Sequence, residues 1–111
     1  MKFTGSFNGD LVLTQSGVIQ DYISSKSGKL GGKSAAERRE VLRWMFFDNH
    51  KVAGVAGMLR FQMKFLPVGK RNTDVIDFMW MGLAAALTIM EAQVAITPFL
   101  AGEELTIADI A

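Results

Sequence analysis

The spacing of apolar residues predicts a long helix in the middle of the chain. Ser34 and Glu37 have the spacing of a capping box, and apolar residues then recur at helical intervals until Pro67 and Gly69 end the helix. One face of this helix carries Val41, Met45, Val52, Val55, Leu59 and Met63. These residues are the predicted core of the first half of an α-helical hairpin.

A second long helix follows, beginning at Asn72 or Thr73. Its apolar residues alternate spacings of four and three, which is the pattern of a coiled-coil seam, and they are Ile76, Trp80, Leu83, Leu87, Met90 and Val94. We expect this seam to pack antiparallel against the preceding long helix.

The beginning of the chain has a different pattern. Asn8-Gly9 predicts a type I′ hairpin turn between strands at Phe3–Phe7 and Asp10–Leu13. An isolated hairpin is only marginally stable, so this one is expected to need a larger sheet. Ser16 is then the predicted N-cap of a helix that runs through Ile23.

A stretch rich in Ser, Gly and Lys, Ser24–Lys33, has the composition of a linker. The predicted organisation is a first domain at 1–25, a linker at 26–33 and a helical domain at 34–111. The predicted fold class is mainly α, with a short β-hairpin and helix followed by a helical hairpin.

The chain ends on a strong helix-start signal. Thr106 is a predicted N-cap, and Asp109 can reach back to the Thr106 amide to complete a capping box. Only Ile110 and Ala111 follow, whereas a helix shorter than roughly 12 residues is marginal without tertiary support. We therefore expect both ends of the sequence to be interior cuts in a longer fold.

Composition narrows the functional classes. The chain has 111 residues with a net charge of +1, so charge gives no case for nucleic-acid binding. It has no cysteine, which excludes disulfides and thiolate metal ligands and is compatible with a cytoplasmic location. No signal peptide is present at Met1–Gly5, and the most apolar run, Phe78–Met90, is too short to cross a bilayer, so no membrane span is expected. The chain has seven methionines, and half of its residues are hydrophobic, which suggests that some of its apolar surface binds a partner.

Two landmarks carry a resemblance to a known family. Phe99-Leu100-Ala101-Gly102, followed by Thr106-Ile107-Ala108-Asp109, resembles the signature that opens the central helix in the C-terminal domain of glutathione S-transferases. Leu13–Ile23 resembles the segment of that family's thioredoxin-like domain that binds the γ-glutamyl end of glutathione. The resemblance covers roughly Gly9 to Ala111 and implies the end of the thioredoxin-like domain plus the first part of the helical domain.

The resemblance implies a glutathione site at Gln15 and Ser16, which match the amide or acidic residue and the serine that bind the γ-glutamyl group. The residues alone favour the simpler interpretation of Ser16 as a helix cap. No residue matches the family's catalytic Tyr, Ser or Cys, and no proline lies at Met1–Thr4, where the family's cis-proline would fall. We therefore predict glutathione as the ligand, no catalytic residue, no metal and no transferase activity in this chain alone.

Other motifs have ordinary explanations. Gly28–Ser34 resembles a Walker A phosphate loop but is one residue short and follows no buried strand. His50 has no second histidine or cysteine with which to hold a metal, so a surface or inter-helix hydrogen bond is the expected role. A basic cluster is expected to be solvated surface rather than an anion site, and it comprises Lys26, Lys29, Lys33, Arg38, Arg39 and Arg43. Large apolar residues could line a pocket for an electrophile, although core or interface roles are favoured, and they are Trp44, Phe46, Phe47, Phe61, Phe65, Trp80 and the methionines.

Two functions remain open. The first is a truncated glutathione S-transferase-like protein, whose full-length relatives conjugate glutathione to electrophiles. The second is a non-catalytic helical module that forms a homodimer, a swapped oligomer or a complex with another protein.

Overall fold

The computed structural model describes residues 5–8 and 10–111, with side chains described from Asp10 onwards. Strands β1 (Gly5–Asn8) and β2 (Leu11–Thr14) form an antiparallel pair in which Gly5 lies opposite Thr14 and Asn8 opposite Leu11. The predicted hairpin is therefore present, with the second strand displaced by one residue. Phe3, Thr4 and Gly9, which belong to the predicted strand and turn, lie outside the described residues.

Helix α1 spans Ser16–Ser27 and extends into the segment predicted as linker. Ser24 explains the extension, because it is buried and its Oγ donates to the Lys29 carbonyl oxygen at 2.6 Å. The Ser-rich composition suggested solvent exposure. Instead, the Ser24 hydroxyl provides a hydrogen-bond partner for a backbone carbonyl group just after the end of the helix. Gly28, with φ of 73°, ends α1 in the left-handed conformation.

The first long helix is continuous but not uniform. Helix α2 (Ala35–Phe47) is followed by a π-helical turn at Asp48–Ala53, by α3 (Gly54–Arg60) and by a second π-helical turn at Phe61–Phe65. Each π turn changes the direction in which later side chains point, so Met63 of the predicted core face is 38% exposed. Burial of its side chain raises the pKa of Asp48 at the first π turn.

The two ends of this helical segment follow their local sequence signals. Ser34 Oγ accepts from the Glu37 amide at 3.1 Å, and Glu37 Oε2 accepts from the Lys33 amide at 2.6 Å. The return hydrogen bond of the box thus goes to the residue before the cap. At the other end, Leu66 adopts an extended conformation because it precedes Pro67. A short 3₁₀ turn at Val68–Lys70 leads to the next helix.

Helix α4 spans Thr73–Ile96 and begins as predicted, with Asn72 Oδ1 accepting from the amides of Asp74 and Val75 at 3.0 and 3.2 Å. Its predicted seam is only half right. The less exposed residues are Ile76, Met79, Leu83, Ala86, Met90 and Gln93. Trp80, Leu87 and Val94 of the predicted seam are each nearly half exposed, because the contact stripe is displaced by one residue at every second position.

Helix α4 is 24 residues long and apolar enough to cross a membrane by length and composition. The sequence argument against a span considered only Phe78–Met90, and that argument underestimated the helix because the apolar pattern continues on both sides. Length therefore does not exclude a membrane span.

The chain divides into two compact units, 1–45 with 97–111, and 46–96. In the first, the buried apolar side chains come from α1, α2 and the final segment, and they are Ile19, Val41, Trp44, Met45, Leu100, Ile107 and Ala108. In the second, α4 packs on α3 and on the first π turn around Leu59, Leu83 and Ala86. The predicted domain boundary at 26–33 stays a prediction.

The chain ends in a single helical turn, α5 (Ile107–Ile110), which lies in the first unit. The capping box is formed there: Thr106 Oγ1 accepts from the Ala108 amide at 3.2 Å, and Asp109 Oδ2 accepts from the Thr106 amide at 3.0 Å. Asp109 Oδ1 also accepts from the Leu100 amide at 2.9 Å. One carboxylate therefore fixes both the helix start and the loop that precedes it.

Candidate functional site

Gln15 and Ser16 lie together at the junction of β2 and α1, and both are exposed. Gln15 has φ of 72° and ψ of 118°, a conformation that L-residues other than glycine rarely adopt. Gln15 and Leu30 are the non-glycine residues with positive φ in the described part of the chain. Strained backbone of this kind persists where surrounding structure enforces it, and it is common at ligand sites.

Ser16 is not the N-cap that the sequence predicted. Gln15 takes the cap position, Ser16 is the first helical residue, and no side chain caps α1. The predicted cap failed because the positive φ of Gln15 turns the chain one residue earlier. The Ser16 hydroxyl is therefore not used to stabilise the helix start.

The start of α1 can accept an anion. Its first turn contains no acidic residue, so no side chain of the helix offsets the positive end of the helix dipole. Amide groups at a helix N-terminus and a nearby hydroxyl suit a carboxylate ligand. The amide side chain of Gln15 can add both a donor and an acceptor.

Contacts with α2 fix the position of α1 within the first unit. Arg38 Nη2 donates to Asp21 Oδ1 at 2.8 Å, joining the two helices across the linker. A Cβ on Gly17 would lie 3.7 Å from Met45 Cε, so the first turn of α1 packs closely on α2. The candidate site thus lies at the start of α1, and the position of α1 is fixed by its contacts with α2.

The Walker-like segment at 28–34 has structural roles in the same unit. Its amides are engaged by the protein, with Lys29 donating to Ser27 Oγ and Lys33 to Glu37 Oε2. The Leu30 carbonyl oxygen accepts from the Ile107 amide at 2.9 Å, which ties the linker to α5. These bonds account for the segment without a phosphate ligand.

A cavity of about 660 Å³ lies between this linker and the loop before α5. Val41, Leu30 and Leu105 contribute apolar walls, and Lys33 Nζ pairs with Glu104 Oε1 at 2.8 Å. The hydrogen bond that Lys33 Nζ donates to Glu104 raises the pKa of Lys33, although both side chains are well exposed. Sequence reasoning did not find this cavity, because its walls come from segments about 70 residues apart and no local signal marks them.

Half of the basic cluster is engaged in ion pairs. Arg38 binds Asp21, Arg43 Nε donates to Glu40 Oε2 at 2.6 Å, and Lys33 binds Glu104. The Arg43 hydrogen bond lowers the pKa of Glu40. The arginine also lies over the Trp44 ring, 4.5 Å from its centroid. These pairs make the cluster part of the surface structure rather than one anion site.

The aromatic and methionine residues do not share one environment. Trp44 and Met45 are buried in the first unit. In the second unit, Phe61 and Phe65 are more than half exposed, and their rings stack with centroids 6.5 Å apart. Among the residues that the structure describes, which include His50, no group of three or more His, Cys, Asp or Glu could hold a metal ion.

Comparison with known proteins places these features in a family. No family model matches the chain. Glutathione S-transferase 3 of Zea mays is 33% identical over 109 residues, which is 92% of this chain and 48% of that protein. An uncharacterised GST-like protein of Streptococcus mutans is 31% identical over 97 residues, 87% of this chain and 36% of that protein.

Solved structures agree in fold. The theta class glutathione S-transferase of Xanthomonas axonopodis pv. citri with glutathione bound superposes with a TM-score of 0.86 at 27% identity, covering 96% of this chain and 57% of that one. A Burkholderia graminis glutathione transferase, with two glutathione molecules bound per subunit, gives 0.87 at 28% identity over 94% of this chain and 45% of that one.

The chain spans about half the length of the relatives that it matches. Sequence identity extends over 92% of this chain and the fold agrees over 96% of it. The chain therefore belongs to the glutathione S-transferase family, of which it contains the end of the thioredoxin-like domain and the first part of the helical domain.

Proposed function

We propose that this chain binds glutathione through its γ-glutamyl group at Gln15 and Ser16 and does not catalyse conjugation by itself. The observation that carries the proposal is the strained Gln15 next to an uncapped helix start. Structures of relatives with glutathione bound support the choice of ligand. We also propose a cytoplasmic location, with which a cysteine-free chain is compatible.

The proposed loss of catalysis concerns activation of the thiol. A thiol with a pKa near about 8.5 becomes a nucleophile at neutral pH only beside a positioned donor or positive charge. The family's Tyr, Ser or Cys has no counterpart in the 111 residues. The expected result is binding without turnover.

Substitution of Ser16 tests the proposed site. Ser16→Ala is expected to weaken glutathione binding about tenfold, because a hydrogen bond to a charged group contributes about 1.5 kcal/mol or more. The free energy of unfolding should change by less than about 0.5 kcal/mol, since the hydroxyl makes no cap hydrogen bond. NMR chemical shifts around Gln15 during a glutathione titration give the affinity, and urea denaturation gives the stability.

Ser25→Ala is the matched control, because Ser25 is an exposed serine on the same helix. Its binding curve should overlay that of the unmodified protein. Equal affinities for all three proteins would refute the site, whereas conjugation of a chromogenic electrophile above background, lost in Ser16→Ala, would refute the proposed lack of activity.

Gln15→Gly tests separately whether the Gln15 backbone is strained and whether the Gln15 side chain binds glutathione. Glycine tolerates positive φ, so this change is expected to increase the free energy of unfolding by about 1 kcal/mol. It should also weaken glutathione binding, because the side-chain amide is lost. Gln15→Ala is the control that removes the amide and keeps the strain. A Gln15→Gly protein no more stable than Gln15→Ala would show that the backbone is not strained.

A second proposed function is that of a helical interaction module that forms a homodimer or a swapped oligomer. The exposed apolar surface of 46–96 favours it. Several large apolar side chains in this unit are at least 60% exposed, and they are Phe46, Met58, Phe65, Phe78, Met81 and Ile96. Exposed apolar patches of this kind mark association surfaces. Sedimentation velocity tests the module, and a monomer at all concentrations would contradict it.

A further inference from the structure

The cavity of about 660 Å³ between the linker and the loop before α5 lies apart from the candidate glutathione site. We call it the linker cavity. Its volume is within the range of about 300–1,000 Å³ that small-molecule sites occupy. It lies beyond Gly28, which ends α1, whereas Gln15 and Ser16 lie at the start of that helix. Because 12 helical residues extend for about 18 Å, the two places are separate.

We propose that the linker cavity binds a small amphipathic amine, with the apolar part of the amine between Leu30 and Leu105 and its ammonium group at the carboxylates of Glu37 and Glu103. Such a ligand is not needed for glutathione binding, so the two sites can be tested independently. Three features of the cavity favour this class of ligand, namely an apolar interior, an excess of carboxylates at the rim and a strained backbone in one wall.

The interior of the linker cavity is mainly apolar. Val41 is its most buried lining residue, at 2% exposure. Thr106 is also buried, and its hydroxyl oxygen accepts from the Ala108 amide at 3.2 Å, so this hydroxyl already stabilises α5. Leu30 and Leu105 line the cavity and are 41% and 46% exposed. A ligand in the cavity would therefore remove apolar surface of both leucines from water.

The charged side chains that line the cavity are exposed, and they form its rim. They are the three carboxylates of Glu37, Glu103 and Glu104 and the two ammonium groups of Lys29 and Lys33, a net charge of −1. Lys33 pairs with Glu104 at 2.8 Å, whereas Glu103 forms no ion pair with the side chains that the structure describes. Glu37 uses Oε2 to accept from the Lys33 amide. The remaining carboxylate oxygens suit an ammonium group, which has three donors.

Leu30 has a backbone conformation that leucine rarely adopts. Its φ is 66°, and its carbonyl oxygen accepts from the Ile107 amide at 2.9 Å. Positive φ is unfavourable for residues with a Cβ, and strained backbone of this kind clusters at ligand sites. Gln15, the other non-glycine residue with positive φ in the described part of the chain, lies at the candidate glutathione site. A ligand contact at Leu30 would account for the strain in the same way.

An anion is the competing class of ligand, because Lys29 and Lys33 line the cavity. The ammonium group of Lys33 is paired with Glu104, and its backbone amide donates to Glu37 at 2.6 Å. An anion would also approach the carboxylates of Glu37 and Glu103, which repel it. The charges at the rim therefore favour an amine over a carboxylate or a phosphate.

Titration with three ligands that differ only in their polar end tests the class of ligand, and they are phenylbutylamine, phenylbutanoate and phenylbutanol. We expect the amine to bind at least about tenfold more tightly than the carboxylate, because the rim attracts the first and repels the second. NMR chemical shifts of the Gly32, Gly102 and Leu105 amides give the affinities. Tighter binding of the carboxylate, or equal binding of the alcohol, would overturn the amine. Shifts confined to α4, or no shifts with any ligand, would overturn the site.

Substitution of Glu103 tests the ammonium contact. Glu103→Gln is expected to weaken phenylbutylamine binding about fivefold, because an exposed ion pair is lost while the size of the side chain is kept. Glu91→Gln is the matched control, since it removes the same charge from an exposed position of α4 outside the cavity. Equal affinities of these two proteins for phenylbutylamine would overturn the contact.

Substitution of Leu30 tests the apolar contact and distinguishes it from an effect on stability. Leu30→Ala and Leu30→Gly both remove the apolar wall, so each should weaken phenylbutylamine binding about fivefold or more. Glycine tolerates φ of 66°, so Leu30→Gly should unfold about 4 °C above Leu30→Ala. Equal losses of affinity despite this difference would support a direct contact, with glutathione binding unchanged in both proteins. Unchanged phenylbutylamine binding in both would overturn the proposal.

Discussion

Asp109→Ala is expected to lower the free energy of unfolding by about 3 kcal/mol, a large effect for one side chain near the end of a chain. The carboxylate accepts two backbone hydrogen bonds, from Leu100 N at 2.9 Å and from Thr106 N at 3.0 Å. A hydrogen bond to a charged group contributes about 1.5–3 kcal/mol, and its loss also leaves partly buried amides without a partner. Urea denaturation of the purified protein measures the change.

Two comparisons make this expectation specific. Asp109→Asn keeps the shape and one acceptor, so it should lose about half as much stability. Asp74→Ala removes an acidic residue from the first turn of α4 and should cost only about 0.5 kcal/mol through the helix dipole. If Asp109→Ala and Asp74→Ala were equally destabilising, the hydrogen bond to Leu100 would have no energetic role.

Gly32→Ala is expected to destabilise the protein by about 3 kcal/mol. Gly32 has φ of 88°, which costs an L-residue about 1–2 kcal/mol. An added Cβ would also lie 2.9 Å from Arg38 N and 3.0 Å from the carbonyl carbon of Glu37. These atoms belong to the backbone of α2, so the crowding cannot be relieved by a side-chain rotation, and overpacking adds about 1–3 kcal/mol.

Substitutions at two other glycines separate the cost of positive φ from the cost of crowding by the added Cβ. Gly28 also has positive φ, of 73°, but nothing lies within 4 Å of its added Cβ, so Gly28→Ala should cost only about 1 kcal/mol. Gly57 is inside α3 with open space around it, so Gly57→Ala should stabilise the protein by about 0.5–1 kcal/mol. The expected order of stabilities under urea is Gly57→Ala, unmodified, Gly28→Ala and then Gly32→Ala. A Gly32→Ala protein as stable as Gly28→Ala would show that the linker moves away from α2.

The candidate site illustrates the limit of sequence reasoning in this protein. The identities of Gln15 and Ser16 came from the resemblance of Leu13–Ile23 to a glutathione-binding segment. The prediction that Ser16 caps α1 is wrong, since Gln15 takes the cap position, and the glutathione-binding role of the two residues stays a prediction. The positive φ of Gln15 has no local sequence signal, because glutamine does not favour that conformation, and the surrounding packing must impose it.

Helix α4 shows the same limit in a regular element. The sequence predicted the start of α4 at Asn72 correctly. However, a helix this apolar contains two stripes of apolar residues with heptad spacing, and the sequence does not indicate which stripe contacts α3. The structure buries Leu83 and Ala86 and leaves Leu87 nearly half exposed. A small alanine at the contact allows close approach of the helices, and this preference depends on the opposing surface rather than on α4 alone.

By itself, the sequence determined the family and the starts of α2, α4 and α5, because those start signals act between residues two or three apart: Asn72 with Asp74 and Val75, Ser34 with Glu37, and Thr106 with Asp109. Only the tertiary structure decided the backbone of Gln15, the two π turns, the buried stripe of α4 and the second hydrogen bond of Asp109. Each of these depends on groups that are brought together by packing, and the free energy of such contacts is not encoded in any short stretch of the chain.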